Sequence, residues 1–299
     1  MFTDPAGISI LLRNRGLIPE ELTYIDRGVM TDKYSFIHMN KEYIVRCFQP
    51  YRKDQPEIEY RYLCLFQERG IMSPKPLAFS TEAAIPYLIY EKLEGEPLTD
   101  IFDSLTSYAQ ESLCTQIADN YIRISEIRND GYGRIQRFDE FSDCSWHEFI
   151  MQVIENAEYI ARDHDDYAFL DCCGWMKKFA GTIAEPDRCL IWSDFSSDNI
   201  IVDRQGKLAG FIDFEGLLSG DPILGLGYMA AHERNEALVS KLSEALHAAA
   251  QPDLINFYSL IRWCRLLPYQ HMPLLNGTPR EPIEEFLAPA YRLISSFGK

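Results

Sequence analysis

The sequence lacks the signals that mark several large classes of protein. Its eight cysteines include no C-x-x-C pair, the spacing that many zinc sites and redox motifs use. No apolar run approaches the roughly 18 residues of a membrane-spanning helix, and the apolar stretch near the N-terminus is too short for a signal peptide. Scattered thiols without an export signal predict a cytoplasmic protein that contacts no membrane.

Basic residues are also in the minority. The 29 Lys and Arg residues face 45 Asp and Glu residues, which gives a formal net charge of −16. A nucleic-acid-binding protein needs a basic surface, so the charge predicts that nucleic acid is not a partner. An acidic surface attracts cationic ligands, although it also serves solubility. Nothing in the sequence indicates the oligomeric state.

The chain contains no repeat or low-complexity tract, and its hydrophobic period changes near residue 95. Residues 5–17 resemble a short amphipathic helix. The alternation over 22–48 predicts a strand meander with turns at Arg27-Gly28 and Asn40-Lys41. A helix is expected over 54–70, and a strand over 86–95 ends at Gly95. Beyond it the spacing predicts helices over 106–129, 145–162, 168–184, 234–250, 252–268 and 282–297.

One β-rich island interrupts this helical half, in LIWSDFSSDNIIVDRQGKLAGFIDFEG. Its two apolar strands form a hairpin around the turn 203–206, which brings Asp213 back beside Asn199. The interval from Asp194 to Asn199 reproduces that of kinase catalytic loops, where the Asp is the base and the Asn binds magnesium. Magnesium takes oxygen ligands, so Asn199 and Asp213 are predicted metal ligands and Asp194 the predicted catalytic residue.

The stretch WSDFSSDNIIVD followed by GFIDFEGLLSGDP resembles the aminoglycoside phosphotransferase family, which usually shows H-G-D-x-x-x-x-N, then I-D-[FW]-E and G-D-P. The resemblance implies an α+β, bilobed, protein-kinase-like fold. Residues 1–94 would form a small β-rich N-lobe that binds nucleotide, and 95–299 a larger, mostly helical C-lobe with the catalytic loop and acceptor pocket.

The same resemblance implies a reaction. The γ-phosphate of ATP or GTP would pass, with Mg²⁺ as cofactor, to a hydroxyl group of a small-molecule acceptor. An aminoglycoside-type antibiotic is the leading acceptor, which would make the protein a resistance enzyme. A macrolide or a metabolite such as choline, homoserine or methylthioribose is an alternative, and so is a non-catalytic nucleotide-binding protein. A protein kinase proper is disfavoured, because no activation segment separates IDFEG from GDP.

The resemblance also assigns residues in the N-lobe. Arg46 in YIVRCF would bind nucleotide phosphate, with Glu59 as its ion-pair partner and Glu57 as the fallback. A phosphate-covering turn would include Gly28, with Thr31, Asp32 and Lys33 facing the phosphates through backbone N–H groups or side chains. The chain near Glu91 and Leu93 would contact the nucleotide base through backbone atoms.

Several residues depart from the family pattern or have two interpretations. Trp192 and Ser193 stand where His and Gly are usual, and Gly225 stands where Asp is expected, while Asp221 remains as a loop-bracing acid. Trp192 is expected in the core first and stacked on substrate second. The aromatic set Tyr258, Trp263 and Tyr269 is expected in the core first and in a substrate wall second. Glu215 follows Asp213 closely and is a candidate to face the substrate.

Overall fold

The computed structural model of the chain describes residues 3–26, 30–143, 145–232, 235–270 and 288–294. Within these ranges, no helix is long and apolar enough to cross a membrane.

The N-terminal part is built on an antiparallel sheet. Its strands, in chain order, are β1 (Leu22–Ile25), β2 (Asp32–His38), β3 (Lys41–Cys47), β4 (Pro76–Ser80) and β5 (Tyr87–Glu91). They lie in the order β1-β2-β3-β5-β4, which confirms the predicted meander. The turn between β2 and β3 is Met39-Asn40, one residue earlier than expected, and both residues have positive φ, as a tight two-residue hairpin turn requires.

Two helices accompany this sheet. Helix α1 (Pro5–Asn14) begins at the Asp4 cap, whose carboxylate accepts a hydrogen bond from the Gly7 N–H at 2.8 Å. Helix α2 (Gln55–Glu68) buries an apolar face that includes Phe66. The Phe66 ring lies 4.8 Å from the ring of Phe214, so α2 ties the N-terminal sheet to the β-rich island.

The chain leaves the first sheet through Gly95, which has φ +137°. A Cβ there would lie 2.1 Å from the carbonyl oxygen of Val202, so only glycine allows this approach. The next strand joins a second sheet of β6 (Glu96–Pro97), β10 (Ile200–Val202) and β11 (Leu208–Phe211), in the order β11-β10-β6. The division of lobes between residues 94 and 95 stays a prediction.

The expectation of a single β-rich island is wrong, because a third sheet lies behind it. Its strands are β7 (Tyr132–Arg137), β8 (Glu140–Asp143), β9 (Cys189–Trp192) and β12 (Leu217–Gly220), in the order β8-β7-β12-β9. β7 and β8 are mostly polar and irregularly paired, so they carry little of the alternation that identifies strands. β12 is buried at all four positions, so it also lacks an alternating pattern.

The remaining helices pack around these two sheets. They are α3 (Leu98–Ile101), α4 (Ser107–Ser125), α5 (Trp146–Asp163), α6 (Tyr167–Ala180), α7 (Ile223–His232), α8 (Glu236–Ala245) and α9 (Pro252–Gln270). Of the predicted helix 282–297, residues 288–294 are helical and the rest lie outside the described ranges. α5 starts with a reciprocal capping box between Ser145 and Glu148.

Helix α7 was not predicted, because Gly225 and Gly227 lower its helix propensity. Both glycines are sites of close packing. A Cβ on Gly225 would lie 1.9 Å from the Tyr121 hydroxyl oxygen, and a Cβ on Gly227 would lie 2.5 Å from the Cβ of Tyr258. Any side chain at position 225, including the expected Asp, would therefore clash with Tyr121.

Tyr258 is a core residue that braces the start of α7. Its hydroxyl donates to Asp221 at 2.9 Å and accepts from the Trp146 indole N–H at 3.0 Å. Trp263 is also buried, while the side chain of Tyr269 lies outside the described part of the chain. Asp221 additionally accepts from the Ile223 N–H at 2.9 Å, which fits the expected loop brace.

We expect Tyr258→Phe to lower the free energy of unfolding by about 1–3 kcal/mol, because two buried polar groups lose a partner. Chemical denaturation measures this change. Tyr159→Phe is the control, since Tyr159 is exposed. Equal stabilities of the two variants would contradict the bracing role.

Candidate active site

The loop after β9 brings the three predicted oxygen-bearing side chains together. The Asn199 side-chain N–H donates to the Asp194 carbonyl at 3.0 Å and to its carboxylate at 3.3 Å. The Ile212 N–H donates to the Asn199 carbonyl at 2.9 Å. The hairpin of β10 and β11 therefore returns Asp213 to the side of Asn199, as its sequence predicts.

Trp192 supports this loop from the core. It is fully buried, and its indole N–H donates to the carbonyl of Asp213 at 3.0 Å. Its ring lies 4.7 Å from Phe211 and 5.0 Å from Phe195. The Ser193 N–H donates to the Gly216 carbonyl at 3.0 Å. The departures from His and Gly in the loop thus leave it braced by an indole and by backbone pairing.

Asp213 has an unusual backbone, with φ 64° and ψ 70°. This left-handed conformation costs a non-glycine residue about 1–2 kcal/mol, and such strain concentrates at functional sites. Its carboxylate accepts from Arg46 at 3.1 Å and from Lys33 at 3.5 Å. Burial by itself raises the pKa of Asp213, but the charges of Arg46 and Lys33 outweigh it and lower the pKa.

Arg46 is the buried centre of the charge cluster. Its side chain is 1% exposed, and it donates to Glu59 at 2.7 Å as well as to Asp213. Burial lowers the pKa of Arg46, yet the surrounding carboxylates, Asp213 first, raise it well above its usual value. Glu59 is therefore the partner of Arg46. The fallback Glu57 instead pairs with Arg61 in an exposed position.

Glu215 belongs to the same cluster rather than standing free for substrate. Its carboxylate forms ion pairs with Arg46 and with Arg52. Arg52 was not identified from the sequence, since it follows β3 in a short polar segment without a recognisable pattern. Burial raises the pKa of Glu59, an effect that Arg46 opposes and that Glu215 and Asp213 reinforce.

An interlobe cleft of about 590 Å³ opens above this cluster. One set of lining residues is apolar: Ile25, Ile44, Tyr90, Leu93, Ile201 and Ile212. The other is polar or charged and includes Thr31, Lys33, Arg46, Asp194, Asn199, Asp213 and Glu215. The cleft thus combines apolar walls with cations and carboxylates.

Two of the predicted N-lobe residues, Asp32 and Glu91, lie outside the interlobe cleft. Asp32 does not line the cleft, because its carboxylate accepts from the N–H and hydroxyl of Thr3, both within 2.9 Å. Glu91 does not line it either. It belongs to β5, an inner strand of the sheet, and its N–H donates to the Lys75 carbonyl at 2.9 Å. Gly28 lies outside the described residues.

A second cleft of about 940 Å³ lies between the loop 193–198 and the helices of the C-terminal part. Residues from α3, α7 and α9 line it, including Leu98, Tyr228 and Arg262. The two clefts share Asp194, Ser196 and Asp198. Asp194 therefore faces both cavities at their junction.

The side-chain oxygen atoms of Asn199 and Asp213 suit a hard divalent cation that has few protein ligands. Within the ranges that the structure describes, no group of three or more His, Cys, Asp or Glu side chains could hold a metal ion. Asn199 turns its amide nitrogen toward Asp194, which leaves its amide oxygen for another partner. One amide oxygen and one ionised carboxylate fit magnesium, which usually completes its shell with phosphates and waters.

The chain matches a known protein family. The model of a family described as the phosphotransferase enzyme family matches residues 21–264. No curated protein matched the sequence.

Solved structures resemble the whole chain. A thermostable mutant of aminoglycoside phosphotransferase APH(4)-Ia, in ternary complex with ADP and hygromycin B, is 17% identical over 96% of both chains, with a TM-score of 0.72. ADP-bound APH(2'')-Ib is 15% identical over 98% of this chain and 97% of that one, with a TM-score of 0.70. The gentamicin complex of APH(2")-IIa is 16% identical over 98% and 97%, also at 0.70. These likenesses confirm the predicted fold class.

Proposed function

The chain belongs to the phosphotransferase enzyme family, and we propose that it transfers the γ-phosphate of ATP or GTP to a hydroxyl group of a small molecule, with an aminoglycoside-type antibiotic as the leading acceptor. One observation carries the proposal. Asp194 lies where a cleft suited to nucleotide meets a cleft suited to an acceptor.

The interlobe cleft has the chemistry of a nucleotide site. Aliphatic walls such as Ile44 and Ile212 can enclose a purine ring, while Arg46 and Lys33 supply positive charge for phosphates. Glu59 holds Arg46 in place. Thr31 is buried at the cleft wall, and Leu93 lies where the chain crosses between lobes, so both are proposed nucleotide contacts.

Asn199 and Asp213 are the proposed magnesium ligands. When bound, the metal neutralises charge on the donor's phosphates. Asp213 suits this role because its carboxylate is ionised and held beside the cations of the cleft.

Asp213→Ala should weaken MgATP binding at least about tenfold, or about 1.4 kcal/mol, because the carboxylate ligand is lost. Calorimetric titration of ATP with and without Mg²⁺ measures the effect. Magnesium-free ATP should bind no more weakly than to the wild type. A variant with an undiminished Mg²⁺ dependence would show that Asp213 is not a ligand.

Asp194 is the proposed catalytic residue. It accepts the proton of the acceptor hydroxyl as the oxygen bonds to the γ-phosphorus and the bond from that phosphorus to the bridging oxygen breaks, releasing ADP or GDP. Asn199 contributes by holding the carboxylate. Catalysis rests mainly on positioning and charge neutralisation.

The charge of the second cleft favours a cationic acceptor. Asp103, Asp198 and Glu236 line it together with Asp194, against the single positive charge that Arg262 adds to the described lining. Solved relatives of the same fold are complexes with hygromycin B, gentamicin and streptomycin. A cytoplasmic location, where ATP and GTP are present, completes the proposal.

A phosphorylation screen tests the function. MgATP and MgGTP are each incubated with hygromycin B, gentamicin, streptomycin, a macrolide, choline, homoserine and methylthioribose, and products are detected by mass spectrometry. A phosphorylated aminoglycoside supports the proposal. A product from another acceptor alone favours the alternative substrate class. Nucleotide binding without any transfer would favour the non-catalytic alternative.

A further inference from the structure

Arg262 in α9 contacts the carboxylate of Asp194. Its Nη2 donates to Asp194 Oδ1 at 3.1 Å, while the Asn199 amide nitrogen lies 3.3 Å from Oδ2. Each carboxylate oxygen therefore has its own donor. The side chain of Asp194 is 44% exposed and that of Arg262 is 19% exposed. This ion pair therefore lines the second cleft and is partly exposed to it.

Arg262 is itself held by α7. Its Nε donates to His232 Nε2 at 3.3 Å, and its guanidinium carbon lies 5.3 Å from the centroid of the Tyr228 ring. Tyr228 and His232 are four residues apart and thus share one face of the helix. α7 and α9 also approach closely at Gly227, whose carbonyl accepts from the Ser259 hydroxyl at 2.8 Å. The guanidinium therefore has a defined position.

A carboxylate with one donor on each oxygen cannot rotate without losing a hydrogen bond. Bonds to charged donors are the stronger kind, so Arg262 contributes more to this restraint than the neutral Asn199 amide. Orientation matters here because a misplacement of about 1 Å at a reacting group can cost about 100-fold in rate.

We propose that Arg262 is a positioning residue for phosphotransfer, which fixes the carboxylate of Asp194 toward the acceptor hydroxyl and is held there by His232 and Tyr228. The inference rests on the proposed function, and it adds a residue from a remote helix to the catalytic loop. The opposite role is a brake, in which Arg262 occupies Asp194 until an acceptor displaces it. The two roles predict opposite effects of removing the guanidinium.

Kinetics of three variants separates these roles. Arg262→Met removes the charge, Arg262→Lys keeps it, and Arg265→Met is the matched control. Arg265 lies on the same helix and against the same Tyr228 ring, at 5.6 Å, but bonds to Ser193 and Tyr228. Turnover and KM are measured with MgATP, using both the acceptor identified by the screen and water in slow hydrolysis.

We expect Arg262→Met to lower kcat by up to about 100-fold while KM for MgATP stays near the wild-type value. Arg262→Lys should recover part of the loss, and Arg265→Met should retain most activity. A wild-type or higher kcat for Arg262→Met overturns the positioning role and supports the brake.

A crystal structure of Arg262→Met gives a readout that needs no activity. We expect the Asp194 carboxylate to differ in orientation from that in a wild-type crystal structure determined in parallel, while Asn199 stays in place. An unchanged carboxylate overturns the inference even if kinetics are altered. An inactive wild type that binds nucleotide contradicts the proposed function instead, and the structural comparison then decides on Arg262 alone.

Discussion

Asp194→Asn is expected to lower turnover at least about 100-fold, the lower end of what a positioned general base contributes, while nucleotide binding stays nearly intact. The amide is close to the carboxylate in size, so the loop keeps its packing against Trp192. However, an amide cannot take the acceptor proton. Asp194 also lies at the junction of the clefts rather than in the cluster around Arg46.

Asp198→Asn is the matched control for this change. Asp198 lies on the same loop and lines both clefts, so its replacement removes the same charge from the same region. Steady-state kinetics and titration with ADP give both quantities for each variant. A similar loss of kcat in the two variants would show that charge alone matters, and a loss of ADP affinity in Asp194→Asn would place Asp194 in the nucleotide site.

Arg46→Met is expected to destabilise the fold by about 3–5 kcal/mol, the range for breaking a buried ion pair by removing one partner. The substitution removes the buried cation that forms ion pairs with Glu59, Asp213 and Glu215. Nucleotide affinity should fall as well, because the proposed phosphate contact is removed. Thermal and denaturant unfolding, followed by ATP titration of the folded protein, measure the two effects.

Arg61→Met is a matched control for Arg46→Met. The Arg61–Glu57 pair has the same N–O distance as the Arg46–Glu59 pair, 2.7 Å, but its side chains are 49% and 38% exposed. An exposed pair contributes about 0–1 kcal/mol, so this variant should unfold almost like the wild type. If Arg46→Met does not fold, Glu59→Gln tests the same pair while leaving the cation. Equal stabilities of Arg46→Met and Arg61→Met would contradict the assigned importance of burial.

The sequence predicts the backbone geometry between Asp194 and Asp213 because that geometry is local. Asp194 and Asn199 lie in one loop between β9 and β10, and a hairpin with a turn at 203–206 returns Asp213 to them. The choice of Glu59 over Glu57 also has a local basis. Glu59 shares the buried face of α2 with Tyr62 and Phe66, so helical period alone places it inward.

What the sequence does not predict depends on contacts between distant segments. Arg262 reaches Asp194 from 68 residues further along the chain, and no local pattern marks it among the other arginines. β7 and β8 form because β7 pairs with β12, rather than because their own residues alternate. Asp32 follows the predicted phosphate-covering turn, but its carboxylate accepts hydrogen bonds from Thr3 near the N-terminus. The sequence around Asp32 does not indicate this tertiary contact.

A crystal structure with Mg²⁺ and the non-hydrolysable ATP analogue AMP-PNP tests the central claim most directly. The account predicts that Asn199 and Asp213 bind the metal, that Arg46 faces the phosphates, and that the γ-phosphate lies next to Asp194 at the junction of the two clefts. A nucleotide bound elsewhere, or a metal that neither Asn199 nor Asp213 touches, would contradict it.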